Sequence, residues 1–366
     1  MRLNKYIHDV ERMKIARKNK KQFTRLDCAE RIFNYDEDLF EGFIKSLTQE
    51  DFITYPSYAE YAVLEDKLAK YLGVKQNNVS LATGSDSCIK DLIQVTCTEG
   101  SEIISVSPCF PMYFVYGFGF GAKFTGIDYL EFRQKGVDAY LDHVNENTRL
   151  AIFTNPGSPY GEYTDPSEIS RLCNSLKEKG IILLVDEAYV DFSPGSCISL
   201  LKHHDNMIIS RTFSKGWGAA GTRVGYFVAN ENLIDLVSKV KLTYPISCTS
   251  MKFASFLLDN FSMVEKYCND TVRDRNKLCD LLESAGYDVV RAHTNTIHFH
   301  ESSGDNSTTI EILDQHGVSF KCGGRKTGTA VKVPGDVRTS WIRLSVGPGI
   351  HKTEFIKNIL EGNPNV

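Results

Sequence analysis

Apolar and polar positions follow two rhythms along this chain. Short aliphatic and β-branched runs occupy residues 79–83, 102–106, 150–154, 181–185, 207–210 and 223–229. Each is mostly apolar, without a helical period, and too short for a helix, the pattern of a strand buried on both faces. Longer stretches with helical period lie between several of them, such as residues 88–98 and 166–179. In the second, Ile169, Leu172 and Leu176, with Ile181 just beyond, recur near helical spacing. Strands alternating with helices predict an α/β domain around a mostly parallel sheet. The rhythm changes after residue 250. A long helical pattern covers residues 250–285, short strand-like runs follow at 288–290, 296–300 and 341–346, and a last helix starts from Thr353. That pattern predicts a separate, smaller α+β domain. The first fifty residues read as helical but are too few for a core of their own. They are expected to pack on the C-terminal domain or on a partner subunit. The division is therefore 1–48, 49–247 for the large domain and 248–366 for the small one.

Composition narrows the classes. A chain of 366 residues supports a large core and suits one catalytic subunit. The formal net charge of −4 gives no surface-wide field for nucleic acid or membrane. The basic stretch from Met13 to Arg25 reads as a solvated segment. The ten cysteines include no C-x-x-C pair, which argues against a zinc site and a disulfide framework. They suit a reducing cytoplasm. No apolar run is long enough to cross a bilayer, and the N-terminus lacks the apolar region of a signal peptide.

In α/β enzymes ligands bind beyond the strand C-termini, so the residues that follow each run are informative. Gly84-Ser85-Asp86 opens a helix, whose free N–H groups suit a phosphate. Phe110, in Ser107-Pro108-Cys109-Phe110-Pro111-Met112-Tyr113, is placed to stack on a flat ring. Asp186 directly follows an aliphatic run at a strand tip, where a carboxylate needs a partner. Lys215 follows Arg211-Thr212-Phe213-Ser214 and precedes small residues. Arg223 opens the next apolar run, and its fork suits an anion.

This set resembles the fold-type I pyridoxal-phosphate enzymes, within them the histidinol-phosphate aminotransferase branch, from about Tyr55 to the C-terminus. The motifs are Tyr55-Pro56, Gly84-Ser85-Asp86, Asn155-Pro156-Gly157-Ser158-Pro159-Tyr160-Gly161, Asp186-Glu187-Ala188-Tyr189, Ser214-Lys215 with Arg223, and Arg343-Leu344-Ser345-Val346-Gly347. The resemblance implies a seven-stranded, mostly parallel sheet in the large domain and a homodimer. It implies pyridoxal 5′-phosphate carried as a Schiff base on Lys215, which would also shuttle the substrate proton. Asp186 would pair with the ring nitrogen, Tyr189 and Ser158 would face the ring 3′-oxygen, and Phe110 would stack on the ring. Ser85, Asp86, Thr212, Ser214 and Arg223 would hold the cofactor phosphate, joined by Tyr55 from the neighbouring subunit. Arg343 would bind the substrate carboxylate, with Lys321 and Arg338 supplying further charge.

The chain departs from the family at Ser158, where asparagine is usual, at Phe110, often tyrosine, and at Lys321, often arginine. The insertion 323–337 is longer than expected. These changes cluster where substrate should lie. The expected reaction is transfer of an amino group, from glutamate or a similar donor, to a small phosphorylated ketone. The alternative within the class is decarboxylation of a phosphorylated amino acid, as in the threonine-phosphate type. Gly117, Gly119 and Gly121 precede a strand and do not form a dinucleotide fingerprint. His203-His204 and His298/His300 lack the companions of a metal site. Fewer than sixty residues precede Tyr55, without a helix-turn-helix pattern, so a DNA-binding regulator is not expected.

Overall fold

The computed structural model of the chain describes residues 5–7, 22–302, 305–322 and 341–362. A two-residue strand, β1 (Thr24–Arg25), comes first. The strands of the large sheet follow: β2 (Val79–Ala82), β3 (Glu102–Ser107), β4 (Lys123–Asp128), β5 (Thr148–Thr154), β6 (Ile182–Asp186), β7 (Met207–Thr212) and β8 (Gly225–Ala229). Their order is β2-β8-β7-β6-β5-β3-β4. Strand β8 runs against both of its neighbours, and the other pairs are parallel. The sheet is therefore mixed but mostly parallel, and the parallel strands all end on one edge. Both faces are covered. One packs Ile89, Leu92, Ile152, Leu184, Ile208 and Phe227 together, and the other Ile104, Ala151, Leu172, Leu183 and Ile209. Full burial explains why the runs are mostly apolar on both faces. Strand β4 was not legible as such a run. It is the sheet's edge, only partly buried, and it carries Gly126, where a Cβ would lie 2.8 Å from the Ser107 Cβ.

The second sheet is antiparallel, in the order β12-β13-β10-β9, built from β9 (Tyr287–Val290), β10 (Thr296–Glu301), β12 (Lys321–Cys322) and β13 (Ile342–Ser345). Its core joins Leu278, Leu282, Ile297, Phe299, Leu344, Ile356 and Ile359. The long helical pattern resolves into two helices, Cys248–Asp259 and Phe261–Ser284. Asn260 breaks them at φ −113°, ψ 36°, and its amide donates to the Phe256 carbonyl at 2.9 Å. A side chain that competes for backbone carbonyls favours such a break. The second helix spans two cores, with Val264, Tyr267 and Cys268 in the first and Leu278, Cys279 and Leu282 in the other.

Among the described residues, the N-terminal region is less helical than expected. Glu37–Ser46 is a helix, capped by Asp36, but residues 26–36 form none. Instead β1 pairs in parallel with β11 (Val318–Ser319), and Leu26 is buried in the small sheet's core. Phe43 packs among Tyr61, Phe253 and Leu257. One strap thus touches both cores.

Candidate active site

The parallel strands deliver their C-terminal residues to one edge, and antiparallel β8 begins there. At the end of β2 the chain turns through Gly84, φ +73°, into the helix Gly84–Thr96. A Cβ on Gly84 would sit 2.8 Å from the Arg223 Nη2, and one on Gly225 would sit 2.4 Å from the Ser85 nitrogen. Glycine at both places lets the helix N-terminus, Arg223 and the start of β8 close up. Arg223 is not the first residue of that strand, as the apolar run suggested. It lies before it in the left-handed region, φ 56°, at the end of the turn Ala220–Thr222. Its Nη1 reaches the Ser214 hydroxyl at 3.4 Å, and Thr212 donates to that same hydroxyl at 2.9 Å. Thr212, Ser214, Arg223 and the amides of Ser85 and Asp86 therefore surround one place. A phosphate suits that set, through the helix dipole and the guanidinium together.

Asp186 ends β6 and is 4 % exposed. Burial raises its pKa, opposed by donors from Tyr113, Ser210 and the Ala188 N–H. Tyr113 donates at 2.7 Å, Ser210 and Ala188 at 3.1 Å each. No cation pairs with it among the described residues, so the carboxylate fits the protonated nitrogen of a ring. Phe110 meets Tyr113 edge-on at 5.8 Å and is partly exposed, which leaves a face for stacking. Lys215 lies just past β7, its Nζ 5.3 Å from the centre of the Tyr189 ring. Gly216 must follow it without a side chain, because a Cβ there would lie 2.3 Å from the Asp191 Cβ. Ser158 lines a small cavity of about 40 Å³ with Thr154, Tyr160 and Glu162.

In the small sheet, β12 and β13 put Lys321 directly opposite Arg343. The Arg343 guanidinium first, and burial second, push the Lys321 ammonium down to about 8; Lys215 contributes in the same direction. Arg343 Nη2 donates to the Asp27 carbonyl at 2.9 Å, and Lys215 Nζ to the Cys28 carbonyl at 3.0 Å. Two sequence-derived assignments are not brought to this edge within the single chain. Tyr55 is 79 % exposed and stacks on Tyr244 at 4.7 Å, facing outward from its own chain. Arg338, like the insertion 323–337, lies outside the described residues. Tyr113 was the residue missed. It closes the motif that contains Phe110, but nothing in the motif shows that its hydroxyl reaches Asp186. The carbonyls of Asp27 and Cys28 were also missed, and backbone groups leave no residue signature.

Fold and site form an edge that suits a flat, phosphorylated ring, with Lys215 beside it and the cations Lys321 and Arg343 paired on the small sheet. The chain belongs to the class I and II aminotransferases, whose family model matches residues 33–361. It is 28% identical over 344 residues to histidinol-phosphate aminotransferase 1 of Carboxydothermus hydrogenoformans, covering 92% of each chain. It is 29% identical over 277 residues to the aromatic amino acid aminotransferase of Mycolicibacterium smegmatis, covering 72% of this chain and 76% of that one. Among solved structures, the histidinol-phosphate aminotransferase of Sinorhizobium meliloti, in complex with pyridoxal-5′-phosphate, superposes with a TM-score of 0.82 at 18% identity. That match covers 99% of this chain and 96% of the other. The protein is a pyridoxal-phosphate-dependent aminotransferase of the fold-type I class.

Proposed function

We propose that the enzyme moves an amino group from an amino acid, glutamate or one similar, to a small phosphorylated ketone. Pyridoxal phosphate, when bound, supplies the electron sink for the carbanion. The chain's own residues divide the remaining work. Lys215 would carry the cofactor and, once released, take and return the substrate's α-proton at Nζ. Asp186 would hold a proton on the ring nitrogen, and Phe110 would cover a ring face. Tyr189 and Ser158 would donate to the ring oxygen. Ser85, Asp86, Thr212, Ser214 and Arg223 would hold the phosphate, with Tyr55 reaching in from a partner subunit. Arg343 would pair with the α-carboxylate, and Lys321, with Arg338, would meet a second anion.

The supporting observation is the cross-strand pair Lys321–Arg343. Two adjacent cations repel each other, and the nearby Cys28 and Asp27 offset that repulsion at Lys321 only in part. A single α-carboxylate needs only one of them, whereas a phosphate carries roughly two charges near neutral pH. The test compares kcat/KM for phosphorylated ketones and their dephosphorylated forms, after glutamate has loaded the enzyme with nitrogen. A preference of at least about tenfold for the phosphorylated form is expected, the scale of one charge-assisted bond. Equal values would remove the phosphate subsite. Carbon dioxide release from a phosphorylated amino acid, without a keto product, would select the decarboxylase instead.

The same reading makes the enzyme a cytoplasmic homodimer. Its cysteines are free, as a reducing compartment keeps them. Phe52, Ile53, Tyr55, Tyr58, Leu242 and Tyr244 are all exposed. Apolar side chains grouped on a surface in this way mark an interaction site.

A further inference from the structure

The turn at residues 26–30 is held in an unusual conformation. Ala29 has φ +52°, in the left-handed region that residues with a Cβ rarely occupy, and is 1% exposed. Such strain persists where surrounding groups over-determine it, and it collects at functional sites. Here two side chains from the small sheet's side impose it. Ser345 Oγ accepts the Ala29 N–H at 2.8 Å and donates to the Leu26 carbonyl at 2.9 Å. Asn295 Nδ2 donates to the Ala29 carbonyl at 3.1 Å. Both are almost wholly buried, Ser345 at 1% and Asn295 at 0% exposure. Backbone bonds tie them in as well, from Ser345 N to the Leu26 carbonyl at 2.7 Å and from Val346 N to the Asn295 carbonyl at 2.8 Å. The turn so held presents two successive carbonyls to two cations. The Asp27 carbonyl meets Arg343, and the Cys28 carbonyl meets Lys215. One turn thereby links the lysine of the large sheet to the arginine of the small one.

We propose that the Cys28 carbonyl is the docking place of the Lys215 amine whenever that amine is not bonded to the cofactor, and that Ser345 and Asn295 are the positioning residues that hold it there. This rests on the assignment of Lys215 as the cofactor's carrier. Transamination alternates between an enzyme form whose lysine is bonded and one whose lysine is free. A free lysine has four rotatable side-chain bonds and must remain within reach of the substrate's α-carbon. A carbonyl fixed by a strained, clamped turn keeps the amine close without neutralising it, so it can still exchange a proton. The dock stabilises the free amine and therefore opposes its bonding to the cofactor. Loosening the dock should tighten binding of the aldehyde form of the cofactor, which consumes the amine. Binding of the amine form, which leaves Lys215 free, should not change.

The experiment measures dissociation constants of pyridoxal phosphate and pyridoxamine phosphate for cofactor-free protein, in the parent, Ser345→Ala, Asn295→Ala and Ser345→Thr. Borohydride reduction and peptide mapping of the parent come first. A pyridoxyl group on a lysine other than Lys215 would overturn the underlying assignment, and this proposal with it. With Lys215 labelled, Ser345→Ala and Asn295→Ala should bind pyridoxal phosphate between about three- and tenfold more tightly, the scale of an ordinary hydrogen bond. Pyridoxamine phosphate binding should be unchanged, and Ser345→Thr, which keeps the hydroxyl, should match the parent. A purely structural role would weaken both ligands together, and that result, or equal constants throughout, would overturn the dock alone. A second readout needs no cofactor. Reductive methylation of Lys215 in cofactor-free protein should rise several-fold in Ser345→Ala, and an unchanged rate would also count against the proposal. Should the alanine variants fail to fold, Ser345→Cys, with a weaker donor and acceptor, carries the same comparison.

Discussion

Lys321 carries a shifted charge beside the arginine assigned to the substrate carboxylate. Its ammonium falls from the ordinary 10.5 to about 8, because Arg343 stands opposite and the surroundings are partly dry. The folded value lies below the unfolded one. The native state therefore releases this proton as pH rises through about 8, while the unfolded chain keeps it to about 10.5. Stability gains over that interval, and anion binding loses. kcat/KM for a phosphorylated acceptor is expected to fall roughly tenfold above pH 8, the size of a charge-assisted contact. A pH series from 6 to 9.5 checks this, and Lys321→Met should be low and flat across it. Asp186 offers a second residue-scale test. Tyr113→Phe removes the donor at 2.7 Å from a buried carboxylate, so cofactor-free protein should lose about 1–3 kcal/mol in denaturant unfolding. The polar side chains at strand ends could be read from the sequence, because a charge directly after an aliphatic run marks where a buried strand emerges from the core. The Tyr113 contact could not, since it joins residues 73 positions apart.

At the scale of elements, the proposed phosphate cradle depends on two glycines that bring a helix, a turn and a strand together. Gly225 pairs with Ala82 across β2 and β8, and a Cβ there would meet the Gly84 carbonyl carbon at 2.3 Å. Gly225→Ala should cost about 1–3 kcal/mol through overpacking, and it should weaken cofactor binding more than that loss of stability explains. Thermal unfolding and a cofactor titration on the same variant separate the two effects. A different buried device joins β6 to β7. Glu187 and Arg211 form an ion pair at 2.8 Å with both side chains nearly solvent-free. Arg211→Met leaves the carboxylate uncompensated, and an expected loss of about 3–5 kcal/mol can be checked by urea unfolding. Central strands were legible because burial on both faces leaves a mostly apolar run. The edge strand β4 and the break at Asn260 were not, since each depends on what lies beside it.

For the whole molecule, the outward-facing cluster around Tyr55 is the decisive surface. Sedimentation is expected to show a dimer, and Leu242→Glu, a charge in the middle of an apolar patch, should dissociate it. Tyr55→Phe should leave the dimer intact and weaken binding of the cofactor phosphate. A fully active monomer would remove Tyr55 from the site. The strap of residues 22–46 belongs to this scale too. It pairs with β11, buries Leu26 in one core and Phe43 in another, and passes both Lys215 and Arg343 on the way.

The sequence by itself determined the α/β class, most of the central strands, the family and the identity of the chemically distinctive residues. Those properties are written in local patterns: the length of an apolar run, and a lysine, an aspartate or an arginine placed just beyond it. The tertiary structure alone decided which backbone carbonyls meet the cations, how Ser345 and Asn295 hold Ala29, and that Lys321 faces Arg343 across a strand pair. Such contacts form between segments hundreds of residues apart and often through main-chain atoms. Every residue carries those same atoms, so their use at this site could not be read from side-chain identity.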